Sequence, residues 1–445
     1  MTAPLLLLPV SAAEAAVLAS YVVWSGGGGQ PVAVARFILD GAGGVCPQTA
    51  GNGAVTVVAR VNPHPETFPV TVCETLAPAD GSLTLASGET LHLPVPVADP
   101  RAIGVLGDSG CSGAGRGQPC DIAWPLPALA RQIAAERPDL LIHLGDFNYR
   151  GTPGSVGPDN QPVYDACTGA TGNQNAAGSA QWDGWTAWNL DVFQPLQPVL
   201  AITAMVPVRG NHELCSRAGP GWFYFLDPGT TLVDPAYRQP ICPQVVNPGA
   251  VDTSPPQILA FPKLTLAVLD TADVCDFGME IPQAEVFRRQ FAALAKAAPA
   301  KPTWLLTHRP VWAVTGLKPD GAGGNIPERQ ITAMLQQAAN ASDVDSWADL
   351  ILSGHVHNLG ALSFADGRPT QLILGNGGVK ILNLDLPPEY TVAIDGAVAR
   401  GIYGAFFGYA SFAYCGRGWQ GALRTLASLP VVDPEPACAG TLLVE

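Results

Sequence analysis

The pattern of apolar and polar positions divides the chain into two regions. Before residue 98, short apolar and β-branched runs alternate with Gly-rich turns, which predicts strands near 21–24, 32–38, 54–59 and 68–72. We expect residues 1–98 to form a small β-sandwich-like domain. From Ala102 onward, buried strand-like runs alternate with amphipathic helical segments, which predicts an α/β catalytic domain over residues 99–445.

In the second region, polar residues follow the strands. Strands are predicted at 103–106, 140–144, 205–208, 264–269, 303–307 and 350–352, and helices at 126–136, 284–298 and 327–340. Five of these strands lead to potential ligands, namely Asp108, Asp146, Asn211, His308 and His355. Because open α/β sheets build ligand sites at the carboxyl ends of their strands, we expect these side chains to converge.

Four of the seven histidines fall in three short clusters, which makes a metal site the leading chemical interpretation. Two neighbouring cations need a bridging carboxylate and several terminal ligands each, and Asp146 is the natural bridge. Asp108 and His357 can complete one site. Asn211, His308 and His355 can complete the other. Hard oxygen ligands mixed with imidazole suit Fe, Mn or Zn better than Ca or Mg.

Five motifs occur in a fixed order along this region. They are Gly107-Asp108-Ser109-Gly110, Gly145-Asp146-Phe147-Asn148-Tyr149, Gly210-Asn211-His212-Glu213, the lone His308, and Gly354-His355-Val356-His357. Over residues 102–380 the chain resembles the calcineurin-like metallophosphoesterase family, and within it the purple acid phosphatases of the bacterial secreted type. The resemblance implies a four-layer αββα sandwich, here with the small N-terminal β-sandwich-like domain added.

The resemblance also implies an activity. We expect a metal-dependent phosphoric ester hydrolase with two metal ions, in-line attack by metal-bound hydroxide, and His212 as the proton donor to the leaving group. Most of the wider family has a histidine ligand where this chain has Gly110. Purple acid phosphatases instead supply a tyrosinate, at the position of Tyr149, which implies Fe(III) paired with Fe, Zn or Mn. Tyr149 either binds metal or only packs.

Three further residues lie in or beside these motifs. The related Ser/Thr phosphatases use an arginine at the position of Arg150 to contact phosphate, so Arg150 is a candidate substrate-binding residue. Glu213 either orients His212 or caps a helix. His143 is expected to be a hydrogen-bonded core residue that supports the site and does not bind metal.

The motifs do not identify the substrate. A phosphomonoesterase is the first interpretation and a phosphodiesterase of the same fold is the alternative. A non-catalytic phosphate- or glycan-binding protein is the further alternative. The long irregular segments 151–181, 214–262 and 309–326 are expected to form the walls that select the substrate, with the substrate lying against 151–181 and 309–326.

The net charge and the hydropathy of the chain limit the kinds of molecule that it is expected to bind. The net charge is -14, without a basic stripe, which argues against nucleic acid as an obligate partner. A small phosphate ester stays possible because metal ions meet its charge locally. No apolar run approaches about 20 residues, so we expect no membrane span. The sequence does not indicate an oligomeric state.

The ten cysteines indicate the cellular compartment in which the protein is expected to fold. None lies in a Cys-x-x-Cys pair, and most lie in Gly/Pro-rich loops, which favours disulfides over reduced thiols. We expect neighbouring partners, Cys46 with Cys73 and Cys111 with Cys120. The apolar run at 5–10, followed by Ser-Ala-Ala, is either a short export signal or no signal, because no basic residue precedes it. A periplasmic or secreted location is expected.

Overall fold

The structure, a computed structural model, describes most of the chain in several stretches. These are residues 15–27, 30–49, 55–113, 117–149, 183–215, 217–240, 242, 251–277, 281–298, 302–329 and 331–426, with short strands at 163–164, 171–172 and 443–444.

Two mixed β-sheets form the centre of the fold. In the described residues the first sheet runs, in spatial order, β24 (Leu443–Val444), β23 (Trp419–Thr425), β22 (Gly408–Tyr414), β7 (Ala102–Leu106), β8 (Leu140–His143), β11 (Ala204–Pro207), β1 (Val17–Gly27), β2 (Gln30–Asp40), β4 (Val70–Leu76) and β3 (Val58–Ala59). The second runs β12 (Gln257–Phe261), β13 (Leu264–Val268), β14 (Thr303–Leu306), β17 (Leu350–Ser353), β19 (Thr370–Leu374), β18 (Leu359–Phe364), β21 (Ala397–Gly404) and β20 (Glu389–Ile394).

Short hairpins and helices complete the described elements. The hairpins pair β5 (Ser82–Thr84) with β6 (Thr90–His92), β9 (Val163–Tyr164) with β10 (Thr171–Gly172), and β15 (Leu317–Pro319) with β16 (Asn325–Pro327). The α-helices are α1 (Leu126–Glu136), α2 (Trp185–Trp188), α3 (Gln194–Leu200), α4 (Gly219–Phe225), α5 (Ile281–Ala297), α6 (Ala333–Asn340) and α7 (Val344–Trp347). A π-helical turn spans Asn189–Phe193 and a 3₁₀ turn spans Asn211–Glu213.

The strand alternation produces four layers. Ile103 and Val105 of β7 face the second sheet and share one buried cluster with Trp304 and Leu306 of β14. Leu106, on the opposite face of β7, packs with α1 and α3. The outer face of the second sheet packs against α5 and α6. Side chains along a strand point alternately to the two faces, so each sheet buries one face against the other sheet and one against helices. The αββα fold class is confirmed.

The N-terminal region is rich in strands, as the sequence indicates. Strands β1, β2 and β4 extend the first sheet, because β1 pairs in parallel with β11 at Val23 and Met205. The N-terminal strands therefore continue the sheet that carries β7 and β8. A domain boundary at residue 98 stays a prediction.

Helix α1 shows how local sequence and packing agree. Its buried residues are Leu126, Leu129, Ala130 and Ile133, which lie on one helical face. The predicted bounds, 126–136, match the observed ones. The helix predicted at 327–340 begins only at Ala333, because β16 occupies Asn325–Pro327 in a hairpin with β15.

The two expected disulfides, Cys46–Cys73 and Cys111–Cys120, are confirmed. A third joins Cys215 to Cys242. Among the described helices, none combines the length and apolar character that a bilayer crossing requires.

Candidate metal centre

The candidate ligands lie in turns that follow the carboxyl ends of parallel strands in both sheets. The turns after β7, β8 and β11 carry Asp108, Asp146 and Asn211, and the turns after β14 and β17 carry His308 and His355. Glycines allow these turns to meet. A Cβ at Gly145 would lie 2.7 Å from His308 Nδ1 and 2.8 Å from the Gly210 Cα, and its φ is +96°. The Gly-Asp motif therefore reflects close backbone approach.

Three of these residues have a left-handed backbone. The φ angles of Asp108, Asp146 and His355 are 55°, 56° and 69°. This region favours glycine, asparagine and aspartate, and a histidine there is unusual. The sharp turns aim the three side chains into the space between the two sheets.

One cluster contains Asp108, Asp146, Tyr149 and His357. The Tyr149 hydroxyl lies 2.8 Å from Asp108 Oδ1, 2.6 Å from Asp146 Oδ2 and 3.0 Å from His357 Nε2. His357 Nε2 is 3.6 Å from Asp108 Oδ1. The ligand atoms of Asp108, Asp146 and His357 all lie within 4.8 Å of one another.

A second cluster contains Asp146, Asn211, His308 and His355. Asn211 Oδ1 lies 3.0 Å from His308 Nε2 and 2.9 Å from His355 Nδ1. His308 Nε2 is 3.3 Å from Asp146 Oδ1. Asp146 thus belongs to both clusters and turns one carboxylate oxygen toward each. The fold brings together all seven residues that the sequence identifies as candidate metal ligands.

The chemistry of the donors fits two cations. Asp108, Asp146 and Tyr149 are buried side by side. Burial, with the charge of Asp146, raises the pKa of Asp108 to about 7. Burial and the two carboxylates raise the pKa of Tyr149 well above its ordinary value. Packing three acidic oxygens together is unfavourable without positive charge, and bound cations would supply that charge.

Gly110 makes room for Tyr149. A Cβ at position 110 would lie 2.5 Å from the Phe147 carbonyl oxygen and 2.9 Å from Tyr149 Cδ2. A histidine at position 110 and the observed Tyr149 ring are therefore sterically incompatible. In this structure Gly110 therefore leaves the space that the Tyr149 ring occupies.

Glu213 organises backbone near the centre. Its carboxylate accepts the N–H groups of Asp146, Phe147, Asn148 and Gly210 at 2.8–3.2 Å. The bond from Gly210 caps the 3₁₀ turn, as one of the two sequence interpretations expects. The other three bonds hold the turn after β8, which contains Asp146, in place.

His212 lies beside the first cluster. Its ring packs on the Tyr149 ring with centroids 4.0 Å apart, and its Nδ1 is 3.1 Å from the Asn148 carbonyl oxygen. A carbonyl oxygen only accepts, so Nδ1 carries the proton in this contact. Nε2 is then the ring nitrogen that exchanges a proton with a bound molecule.

The supporting role expected for His143 is confirmed. The residue is fully buried, its Nε2 lies 2.7 Å from Ser109 Oγ, and its ring stacks on Phe147 at 3.7 Å. Burial lowers the pKa of His143 to about 3, so the ring is neutral. Arg150 and segment 151–181 lie outside the described residues, except for strands β9 and β10.

The turn after β13 also reaches the site, although none of the five motifs includes it. Thr271 Oγ1 accepts the backbone N–H groups of His308 and Arg309, at 3.1 and 2.8 Å. Asp276 Oδ1 lies 2.9 Å from His355 Nε2 and 2.9 Å from Arg309 Nε. A signal was present for Thr271, because the strand predicted at 264–269 also ends in polar residues, Asp270-Thr271-Ala272-Asp273, whereas Asp276 lies beyond that run.

Two known structures have folds similar to that of this chain. A purple acid phosphatase, PPD1, from yellow lupin (Lupinus luteus) seeds matches with a TM-score of 0.53 and 13% identity, covering 93% of this chain and 73% of that one. The structure of PhoD matches with a TM-score of 0.52 and 12% identity, covering 92% and 88%. At these identities the likeness shows the fold alone.

Sequence comparisons give the family. No curated protein matches the chain at a significant level. A family model described as calcineurin-like phosphoesterase matches residues 102–359, which is more than half of the chain and includes every residue of both clusters. The chain therefore belongs to the calcineurin-like phosphoesterase family, whose members are metal-dependent phosphoric ester hydrolases.

Proposed function

We propose that this protein hydrolyses phosphoric monoesters at a dinuclear metal centre. The observation that carries the proposal is the position of Asp146 between the two clusters. Its Oδ2 faces the first cluster and its Oδ1 faces the second. Asp108, Tyr149 and His357 would hold one ion together with Asp146. Asn211, His308 and His355 would hold the other.

The donor types suggest the metals. A phenol oxygen among carboxylates is a hard, anionic donor set once the phenol is deprotonated, and it suits Fe(III). The second cluster combines an amide oxygen with two imidazoles, which suits Fe, Zn or Mn. Two such ions would supply positive charge that lowers the pKa of water and offsets charge developing on the phosphate oxygens.

The proton for the leaving group would come from His212. Because Nδ1 is fixed on the Asn148 carbonyl oxygen at 3.1 Å, the imidazolium form has Nε2–H left to donate to the departing alkoxide. The Tyr149 ring, stacked at 4.0 Å, sets the plane of the imidazole. A donor in this position contributes roughly 10²–10⁴-fold in rate.

Support for a monoester substrate comes from two likenesses. The five motifs follow the purple acid phosphatase pattern, and one structural neighbour is a purple acid phosphatase. The substrate would be a small phosphate ester that lies against the segment 309–326, in which the β15–β16 hairpin is exposed. Arg150 is proposed as a further contact to phosphate.

An exported location is proposed from the disulfides. Three are present among the described residues, and such bonds persist in oxidising compartments. A periplasmic or secreted enzyme would meet phosphate esters outside the cytosol.

The test compares initial rates on p-nitrophenyl phosphate and bis(p-nitrophenyl) phosphate for the parent and for His212→Ala. We expect faster monoester turnover by the parent, a loss of roughly 10²–10⁴-fold in kcat in the variant, and unchanged metal content. His92→Ala, an exposed histidine in β6, is the control and should keep full activity.

Other outcomes would change the assignment. Faster diester turnover would make the protein a phosphodiesterase with the same site. A metal-loaded parent without turnover on either ester would favour a phosphate- or glycan-binding protein. Full activity in His212→Ala would remove His212 from the mechanism.

A further inference from the structure

We infer that Asp276 is a positioning residue that fixes His355 in the ring orientation and tautomer required to bind a metal ion through Nδ1. This inference rests on the proposed metal centre and adds a residue outside the five sequence motifs. Asp276 lies in the turn after β13, far along the chain from His355.

The three histidines of the centre each have a second ring nitrogen held by the protein. His308 Nδ1 lies 2.7 Å from the Leu144 carbonyl oxygen, and His357 bonds the backbone of Lys380. His355 differs in two respects. The partner of its Nε2 is a carboxylate oxygen, Asp276 Oδ1, at 2.9 Å. The nitrogen that faces Asn211 Oδ1 is Nδ1, whereas in His308 it is Nε2.

A carboxylate partner determines the tautomer. Both ring nitrogens of His355 face acceptors, the Asp276 carboxylate at Nε2 and the Asn211 amide oxygen at Nδ1. A carboxylate is the stronger acceptor, so the proton of neutral His355 resides on Nε2. Nδ1 then keeps its lone pair and points into the second cluster. A ring partner of this kind orients a metal-binding histidine and raises its basicity. In the opposite tautomer a proton on Nδ1 would occupy the ligand position.

Asp276 is itself held in place on several sides. Arg309 Nε donates to the same Oδ1 at 2.9 Å, and the guanidinium is in turn bound by the carbonyl oxygens of Thr271 and Ala272. The Asp276 carbonyl oxygen accepts the Thr332 N–H at 2.9 Å. The ion pair with Arg309 at 2.9 Å compensates the charge of the carboxylate. The carboxylate is therefore charged and fixed.

The test uses two variants that separate hydrogen bonding from charge. Asp276→Asn keeps an oxygen that accepts from His355 Nε2, whereas Asp276→Ala removes the partner. Asp273→Asn is the matched control, because Asp273 lies in the same turn and accepts the Asp252 N–H. Thermal unfolding of each variant checks that it is folded.

The first readout is the ¹⁵N NMR spectrum of histidine-labelled protein after chelation of metal. We expect His355 of the parent to be the Nε2–H tautomer, Asp276→Asn to keep it, and Asp276→Ala to show a mixture of both tautomers. The second readout is calorimetric titration with Zn²⁺ alone. We expect Asp276→Ala to weaken one of two binding steps by roughly 10–100-fold and to leave the other unchanged.

The outcomes separate this inference from the proposed function. An unchanged tautomer together with unchanged Zn²⁺ binding in Asp276→Ala would overturn the role of Asp276. A parent that binds fewer than two Zn²⁺ ions would count against the dinuclear centre. In that case the NMR comparison still tests Asp276, because a change of the His355 tautomer in Asp276→Ala would show that Asp276 positions the ring.

Discussion

At residue 110 the absence of a side chain determines where the Tyr149 ring lies. The Gly110 Cα is so close to the Phe147 carbonyl oxygen and to Tyr149 Cδ2 that even a methyl group would overlap both. Neither neighbour can move freely, because Phe147 and Tyr149 are both buried. Overpacking of this kind is typically destabilising by about 1–3 kcal/mol.

We predict that Gly110→Ala displaces the Tyr149 hydroxyl from the two carboxylates. If the phenol binds Fe(III), the iron-loaded parent absorbs visible light, and both Gly110→Ala and Tyr149→Phe should lose that band. The measurement is the visible spectrum at equal iron content. Gly418→Ala is the control, since nothing lies within 4 Å of its added Cβ. A colourless, fully active parent would contradict Tyr149 ligation.

Sequence predicts residues well where a motif places them. Asp108, Asp146 and Asn211 could be identified because each follows a strand at a spacing that the fold requires. Asp276 could not, because it lies 79 residues from His355 along the chain and their contact depends on β14 pairing with both β13 and β17. Such a pairing is a property of tertiary packing, which local pattern does not encode.

At the scale of elements, a buried charge network joins the N-terminal strands to the last turn of α4 and the residues that follow it. Arg36 of β2 and Arg60 both pair with Glu74 of β4, at 3.1 and 2.9 Å. The two guanidinium groups also donate to the carbonyl oxygens of Phe223, Phe225 and Asp227. Every member is buried, so the loss of one charge leaves the others uncompensated.

Glu74→Gln should therefore lower the free energy of unfolding by about 3–5 kcal/mol at neutral pH. Although burial opposes it, the charges of Arg36 and Arg60 hold the pKa of Glu74 below its ordinary value of 4.5. A depressed pKa stabilises the fold above pH 4.5, and this stabilisation disappears as the pH falls toward the folded-state pKa. The difference between parent and variant should shrink below pH 4.5.

Urea unfolding at several pH values measures this difference. Glu389→Gln is the control, since its ion pair with Arg400 is about two-thirds exposed and contributes less than about 1 kcal/mol. Equal effects from the two substitutions would show that the buried network does not hold these elements together.

Elements differ in how far sequence determines them. Helix α1 was predicted to the residue, because its apolar spacing and its end at Arg137, with φ 51°, are local features. The placement of β1 beside β11 was not predicted, because a parallel pairing between distant strands leaves no local signal. The strands predicted at 21–24, 32–38 and 68–72 overlap β1, β2 and β4, whereas in the described part of 54–59 only Val58–Ala59 is a strand. The sequence does not indicate the sheet to which these strands belong.

At the scale of the whole molecule, disulfides supplement the core in loop-rich regions. The Cys46–Cys73 bond closes a separation of 27 residues and Cys111–Cys120 one of 9. In the chain-entropy model a disulfide that closes a longer loop adds more to the free energy of unfolding. For this ratio of loop lengths the difference between the two bonds is roughly 1 kcal/mol. We predict that replacing the Cys46–Cys73 pair by serine lowers the unfolding free energy by about 2–4 kcal/mol.

The same replacement at Cys111–Cys120 serves as the comparison and should be less destabilising. Equilibrium unfolding under non-reducing conditions measures both variants. A larger loss from Cys111–Cys120 would mean that native packing around the short loop, rather than chain entropy, dominates its contribution.

The left-handed turns at Asp108, Asp146 and His355 have a consequence for how this protein could be engineered or could diverge. Backbone strain of about 1–3 kcal/mol per residue, added to the crowding of buried carboxylates, destabilises the centre when it holds no cation. Glycine at these positions relieves the strain and removes the ligands. Selection for heat resistance alone, in medium depleted of metal, would therefore enrich inactive variants, whereas the same selection with metal supplied would retain the site.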